Sequence, residues 1–158
     1  MAKESKTNAM RKLDSMKISY KEHTYTENST LNGEEIAGIL GEDPERVFKT
    51  LVTAAASGEP YVFLVPVCRE LDLKKAAAAV KEKSVSMLKA KELLPLTGYV
   101  HGGCSPIGMK KFFRTTIDSS AKKFPYIFCS GGRIGLQIEL SLEDLRKVIP
   151  FELAELTR

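Results

Sequence analysis

The run Gly102-Gly103-Cys104-Ser105-Pro106-Ile107-Gly108-Met109-Lys110-Lys111 constrains this chain more than any other stretch. Three glycines, a proline and a Ser-Pro step cannot continue a helix or a strand. Glycine opens positive φ and lets another molecule come close, while proline stiffens the turn. An apolar segment, Tyr99-Val100, feeds into the run, and a β-type segment, Phe112 to Ile117, leaves it. The pattern predicts a rigid loop mounted on a sheet, its backbone N–H groups offered to an anionic or carbonyl-bearing guest.

Around the loop, hydrophobic periodicity divides the chain. Helices are predicted over Asn8–Met16, Gly33–Leu40, Asp72–Val80 and Lys89–Leu94, the last ended by Pro95, with a further helix opened by Ser141 and its capping-box-like Asp144. Strands are predicted over Ile18–Tyr25, Val47–Ala54, Tyr61–Val67, Ser84–Met87, Phe112–Ile117, Tyr126–Cys129 and Ile134–Leu140. Thr26 to Thr30 reads as a polar link, and Ser119–Lys123 as a turn of helix. Ser57-Gly58-Glu59-Pro60 and Ser130-Gly131-Gly132-Arg133 read as hairpin turns. No repeat or linker divides the 158 residues, so the expectation is a single domain over 1–158. Its class is α+β, a mixed, mostly antiparallel sheet, partly barrel-like, flanked by helices.

Several function classes drop out. The longest apolar runs fall well short of the ~20 residues of a membrane span, and the polar start lacks a secretory core, so a cytoplasmic protein is expected. Cys68, Cys104 and Cys129 are far apart, and with only His23 and His101 beside them no zinc-ligand spacing exists. No metal or cofactor is implied. Gly103 to Gly108 has Walker-like spacing, but Met109 intervenes before Lys110 and a strand rather than a helix follows. There is no Gly-x-Ser-x-Gly elbow and no conspicuous carboxylate pair.

What remains is charge and one odd lysine. His101 to Arg133 carries six Lys/Arg against one acid, Asp118, a local +5 that exceeds the +4 of the whole chain. Such a segment fits a phosphate-bearing partner as well as a solvated face. In the strand Val47–Ala54, Lys49 shares a face with Val47 and Leu51. It is either a snorkelling edge lysine or a cation lining a cleft.

Four blocks in register then resemble a known family: Val47-Phe48-Lys49-Thr50-Leu51, Leu71-Asp72-Leu73-Lys74-Lys75, Thr97 to Gly108, and Ser130 to Leu140, with His23-Thr24-Tyr25 ahead of them. Together they are similar to the YbaK/EbsC-type aminoacyl-tRNA deacylases across nearly the whole chain. The resemblance implies a compact α+β domain related to the editing insert of prolyl-tRNA synthetases. It implies an enzyme that removes cysteine from mischarged Cys-tRNA(Pro), or also Cys-tRNA(Cys), with aminoacyl-tRNA as substrate and prolyl-tRNA synthetase as transient partner. By the same resemblance Lys49, Gly102 and Gly103 are the catalytic groups. Tyr25, Phe48, Thr50, Ser105, Pro106, Ser130, Gly131, Gly132 and Gln137 shape the substrate pocket. Many relatives carry Asp where this chain has Gln137, and His101 and Cys104 stand where relatives are more often aliphatic.

The mechanism implied needs little from the protein: the substrate's cysteine thiol attacks its own ester and leaves as a thiolactone. Gln137 cannot act as a carboxylate base, but this route does not require one. Three alternatives stay open at this point. They are water-driven deacylation of another small amino acid (alanine or serine), a non-catalytic tRNA-binding module, and a redox enzyme built on Cys104.

Overall fold

The computed structural model describes residues 6–25 and 33–158, so the expected polar link at 26–30 lies outside the described residues. Two strands organise the rest. β2 (Phe48–Ala55) and β3 (Pro60–Pro66) form an antiparallel hairpin in register from Phe48 opposite Pro66 to Ala54 opposite Pro60. Gly58, at φ 91°, supplies the left-handed residue of their turn. β3 is buried at every residue after Pro60, as a continuous Val/Phe/Leu run demands.

On the far edge of β3 lie β5 (Thr115–Asp118) and then β8 (Glu152–Ala154), both parallel. On the far edge of β2, β4 (Val85–Met87) pairs antiparallel, but only with Thr53–Ala55. A second sheet has β7 (Leu136–Leu140) between β1 (Lys21–Thr24) and β6 (Ile127–Ser130), all antiparallel. One parallel bridge, Val47 to Phe128, joins the sheets, with Phe128 N–H donating to the Arg46 carbonyl at 2.9 Å. The expected mixed, mostly antiparallel α+β arrangement is what forms. The barrel-like closure is not: among the described residues the strand pairing leaves β1 and β8 as open ends.

Strand alternation sorts the core. Phe48 and Val52 of β2 and Ile138 and Leu140 of β7 enter the main cluster with Ile107 and Ile117. This cluster is closed by α1 (Asn8–Ser15) and α5 (Leu142–Val148), through Ala9, Leu13 and Leu145. The opposite face of the hairpin, Tyr61, Phe63 and Val65, packs on Ala76, Ala77 and Val80 beside α3 (Leu73–Ala79). A third cluster sets Ala37 of α2 (Gly33–Leu40) on Val47, Val67 and Phe128, over the outer side of the bridge between the sheets. Each large side chain so buried contributes about 1.5–3 kcal/mol.

Helix ends follow their caps. Asp72 accepts from Lys74 and Lys75 N–H, and Ser141 accepts from Asp144 N–H, as the sequence predicts. α4 (Ala90–Thr97) corrects one expectation, because it runs through Pro95. The proline removes a single backbone bond, and Thr97 Oγ1 donating to the Leu93 carbonyl with Gly98 N–H donating to Leu94 secures the last turn. The first strand is shorter than Ile18–Tyr25, because only Lys21–Thr24 reaches β7. The segment 112–114 precedes β5 instead of belonging to it, and the strand begins at Thr115. In α2 the buried residue is Ala37, while Ile39, expected on the apolar stripe, is 54% exposed. β8 was not anticipated, since three residues with two half-buried apolar side chains carry little pattern.

Candidate active site

The two sheets separate just beyond their single bridge. Continuing the Val47–Phe128 register would pair Lys49 with Ser130, yet no bridge forms there. On β2 the next partner strand, β4, arrives only at Thr53. The intervening edge, Phe48 to Val52, has no partner strand on this side among the described residues. Arg46 and Val52 carbonyls accept from Phe128 and Leu88 across this edge. By alternation the carbonyl of Phe48 and both peptide groups of Thr50 point out of the same edge. A cavity of about 590 Å³ fills the gap.

Its lining comes from seven stretches of the chain. β2 supplies Phe48, Lys49, Thr50, Leu51 and Val52; Val47 and Val67 lie at the base of the hairpin. Ala90 and Leu93 come from the start of α4, Met87 from the end of β4, and Leu88 from the link between them. His101, Gly102 and Cys104 come from the glycine loop, Ser130 from β6 and Gln137 from β7, with Glu34 and Ile36 of α2 on the remaining side. Lys49 thus stands on the open length of β2, with β3 on one side and the cavity on the other. It makes no ion pair or hydrogen bond among the described residues. Gln137 is only 6% exposed, and among the described residues neither its Oε1 nor the buried Thr50 Oγ1 has a hydrogen-bond partner. A buried acceptor left unpaired costs about 1–3 kcal/mol.

The glycine loop divides its labour in a way the sequence does not reveal. Gly102 has φ 86°, is exposed, and lines the cavity. Gly103 is buried, and its N–H already donates to the Val100 carbonyl at 3.0 Å, so it is not a free donor. A Cβ on Gly103 would lie 2.9 Å from the backbone of Arg133 and Ile134. Its glycine identity serves the close approach of this loop to the β6–β7 turn. Ser105 is fully buried, with Oγ accepting from Ile107 N–H, and Pro106 borders a separate depression of about 380 Å³ with Met109, Phe112 and Ile149. Neither lines the main cavity.

Gly131 and Gly132 also stand behind the wall. Gly131 exchanges bonds with Leu136 carbonyl and Thr7 Oγ1, and a Cβ there would meet Leu136 at 2.6 Å. Gly132, at φ 107°, donates to Ser130 Oγ and packs on Thr7 and Tyr99. Tyr25 is half-buried at the end of β1, its N–H bonded to the Gly135 carbonyl and its hydroxyl unpartnered among the described residues. The structure thus gathers Lys49, Phe48, Thr50, Gly102, Ser130 and Gln137 around one cavity. It holds Gly103, Ser105, Gly131 and Gly132 in the scaffold behind it.

Cys104 is buried against this cavity, and burial pushes its thiol up to about 12; Cys129, in the core, is raised alike. Both stay protonated at neutral pH, which removes the basis for a Cys104 nucleophile. Among the described residues no group of three or more His, Cys, Asp or Glu is placed to hold a metal ion, and no helix is long and apolar enough to cross a membrane. The apolar lining, Val67, Leu88 and Leu93, was missed by sequence reasoning and carried no signal, being ordinary hydrophobic residues in distant elements.

Behind Gln137, on the same face of the second sheet, His23 Nε2 lies 2.9 Å from Glu139 Oε1. Arg46 approaches the other Glu139 oxygen at 3.5 Å and covers the Phe128 ring at 5.4 Å. This cluster ties β1 and β7 to the approach of β2 and fixes the wall from which Gln137 projects.

Comparison with known proteins agrees with this architecture. A family model for the aminoacyl-tRNA editing domain matches residues 27–148. A relative from Enterococcus faecalis, provisionally named as the Cys-tRNA(Pro)/Cys-tRNA(Cys) deacylase EbsC, is 43% identical over 155 residues, 98% of this chain and 94% of its own. A crystal structure provisionally described as a trans-editing enzyme for prolyl-tRNA synthetase superposes with TM-score 0.85 at 24% identity, covering 98% of this chain and 99% of its own. A hypothetical protein superposes with TM-score 0.86 at 19% identity, over 96% and 99%. At such identities the structural likeness speaks for the fold. The family model and the close sequence relative, each spanning most of the chain, carry the further conclusion that this protein belongs to the aminoacyl-tRNA editing domain family.

Proposed function

We infer that the protein is a deacylase that clears cysteine from mischarged Cys-tRNA(Pro), and from Cys-tRNA(Cys), using the cavity beside β2. The observation that carries this reading is the cavity's chemistry. It has an unpaired lysine and backbone donors, and the one thiol in its lining, Cys104, is held protonated. Such a site suits a substrate that brings its own nucleophile. The 43%-identical relative named for this activity supports the choice of substrate.

The reaction follows from that inventory. The cysteine sulfur attacks the ester carbonyl, a C–S bond forms, the C–O bond to the terminal ribose breaks, and the thiol proton ends on the departing ribose oxygen. The product is a thiolactone that water later opens. An internal nucleophile starts with an effective molarity worth up to about 7–11 kcal/mol. The protein's share is to orient the ester and stabilise the oxyanion. Gly102 N–H and the edge-facing Thr50 N–H are the available donors, and each properly aimed donor is worth about 3 kcal/mol. Lys49 supplies the cation for the terminal nucleotide's phosphate and for charge developing in the transition state. The basic segment after the glycine loop is available to the acceptor stem, and action beside prolyl-tRNA synthetase in the cytoplasm completes the reading.

The test is deacylation of tRNA(Pro) charged in turn with cysteine, alanine and serine. Rapid loss of cysteine alone supports the proposal. Equal turnover of alanine would favour water attack, since alanine has no thiol. Salt-sensitive binding without turnover would make the domain a tRNA-binding module.

A further inference from the structure

We propose that His101 is the proton carrier of the reaction: its neutral imidazole takes the substrate's thiol proton and hands it to the departing ribose oxygen. The inference rests on the deacylase reading above, which leaves that transfer without a carrier. His101 lines the cavity from the position just ahead of Gly102, so one turn presents an imidazole beside a backbone donor for the oxyanion. The residue is exposed. It makes no hydrogen bond or ion pair among the described residues, so no partner fixes it away from a guest.

Four titratable side chains line this cavity among the described residues: Glu34, Lys49, His101 and Cys104. A carrier must both accept and release a proton near neutrality. Cys104 is held protonated, its thiol pushed up to about 12, and a lysine ammonium has no lone pair to accept with. A carboxylate is a weak base toward a thiol, their ordinary pKa values lying about 4 units apart. Imidazole titrates near neutrality, one ring nitrogen accepting while the other donates. The charges around His101 are Glu34 on α2, Lys49 on β2 and Arg133 on the β6–β7 turn, whose backbone meets Gly103.

The step balances without a co-reactant. The S–H proton passes to the imidazole as the C–S bond forms. The imidazolium gives it to the ribose oxygen as the C–O bond breaks, and His101 ends neutral. The second transfer matters most, because a tetrahedral intermediate expels a thiolate more readily than an alkoxide. A proton at the ribose oxygen sends it forward.

The experiment is single-turnover deacylation of Cys-tRNA(Pro) against pH for wild type, His101→Ala, His101→Gln and Glu34→Gln. The wild-type rate is expected to rise through the ordinary imidazole range, about pH 6–7, and then level. Both His101 variants should be about a hundredfold slower at pH 7, and their rates should go on rising toward about pH 8.5, where the substrate's own thiol ionises. Added imidazole should restore part of the rate to His101→Ala, beyond its effect on the ester alone, and Glu34→Gln should keep the wild-type profile. Melting curves identify a His101 variant that fails to fold, and the profile is then read from the other.

His101 variants with the wild-type rate and profile would overturn the proposal and leave the deacylase reading intact. So would a slower rate with an unchanged profile and no rescue by imidazole, or loss of the neutral-pH limb in Glu34→Gln instead. If the wild-type protein leaves Cys-tRNA(Pro) intact at every pH, the deacylase reading itself fails, and the carrier with it.

Discussion

Lys49 and Ser130 stand next in register beyond the Val47–Phe128 bridge, yet they are not paired, and the cavity opens where that pairing stops. The site is thus a defect in a sheet that would otherwise be continuous. Strand edges are normally covered or blunted. Here a length of β2 edge is held open by α2 and α4 on either side, and its peptide groups become available to a guest.

Lys49 lines the cavity and makes no ion pair among the described residues, so the proposed function assigns it to the chemistry and not to stability. Lys49→Ala should lower the deacylation rate by about a hundredfold, the size of one charge-assisted contact in a desolvated site at about 2–3 kcal/mol. Its melting temperature should stay within about 2 °C of wild type. Single-turnover deacylation alongside a melting curve checks both, and a loss of rate matched by a loss of folding would contradict the assignment.

The two adjacent glycines of the loop should behave differently. Gly103→Ala forces a Cβ to 2.9 Å from Arg133 and Ile134 backbone and should cost about 1–3 kcal/mol of stability. Gly102→Ala meets only Ile134 Cγ1 at 3.6 Å, so its cost is the left-handed strain of about 1–2 kcal/mol. Urea denaturation measures each. The loop as a whole was legible from its glycines and proline, but which glycine faces the guest was not. Gly103 owes its identity to a turn thirty residues downstream, and a sequence does not record contacts across that separation.

Asp118 ties the end of β5 to the C-terminal segment, accepting from Leu156 N–H at 2.8 Å and from Ser120 N–H at 3.2 Å. Asp118→Ala would leave a buried donor at Leu156 unsatisfied and remove the cap of the 3-10 turn Ser119–Lys123. The expected loss is about 2–4 kcal/mol, read from chemical denaturation. In the sequence Asp118 appears only as the lone acid of a basic segment. The structural role comes from Leu156, just beyond β8, whose three residues carry no pattern to read.

Cys104 and Cys129 bind their protons more tightly folded than unfolded, because burial raises both thiols to about 12. The unfolded chain therefore releases these protons first as pH rises. Their contribution to stability is complete below about pH 9 and is lost between about 9 and 12, at up to about 1.4 kcal/mol per pH unit for each thiol. The slope of stability against pH in that window should flatten in a Cys104→Ala/Cys129→Ala variant, whatever its absolute stability. An unchanged slope would show that these thiols are not responsible. Cys104→Ala alone should keep deacylation within a few-fold of wild type, which separates a wall residue from a nucleophile.

Fold class, helix caps and the β2–β3 hairpin were readable because local chemistry decides them: capping side chains, turn glycines and apolar runs. The site was readable only in part. Lys49 announced itself as a charge on an apolar face, whereas Gln137, on the polar side of an alternating strand, came only with the resemblance. The resemblance to a family grouped them, but their meeting depends on two sheets that touch at one bridge and then diverge. Val67, Leu88 and Leu93 complete the wall and look like any core residue until the chain is folded.

The identity of the first product released from Cys-tRNA(Pro) decides which nucleophile acts. If the substrate's own sulfur is the nucleophile, rapid quenching with mass spectrometry will find cysteine thiolactone before free cysteine. A substrate with the thiol methylated will then not be turned over. Free cysteine appearing first, with the methylated ester hydrolysed at a similar rate, would contradict it and make water the nucleophile.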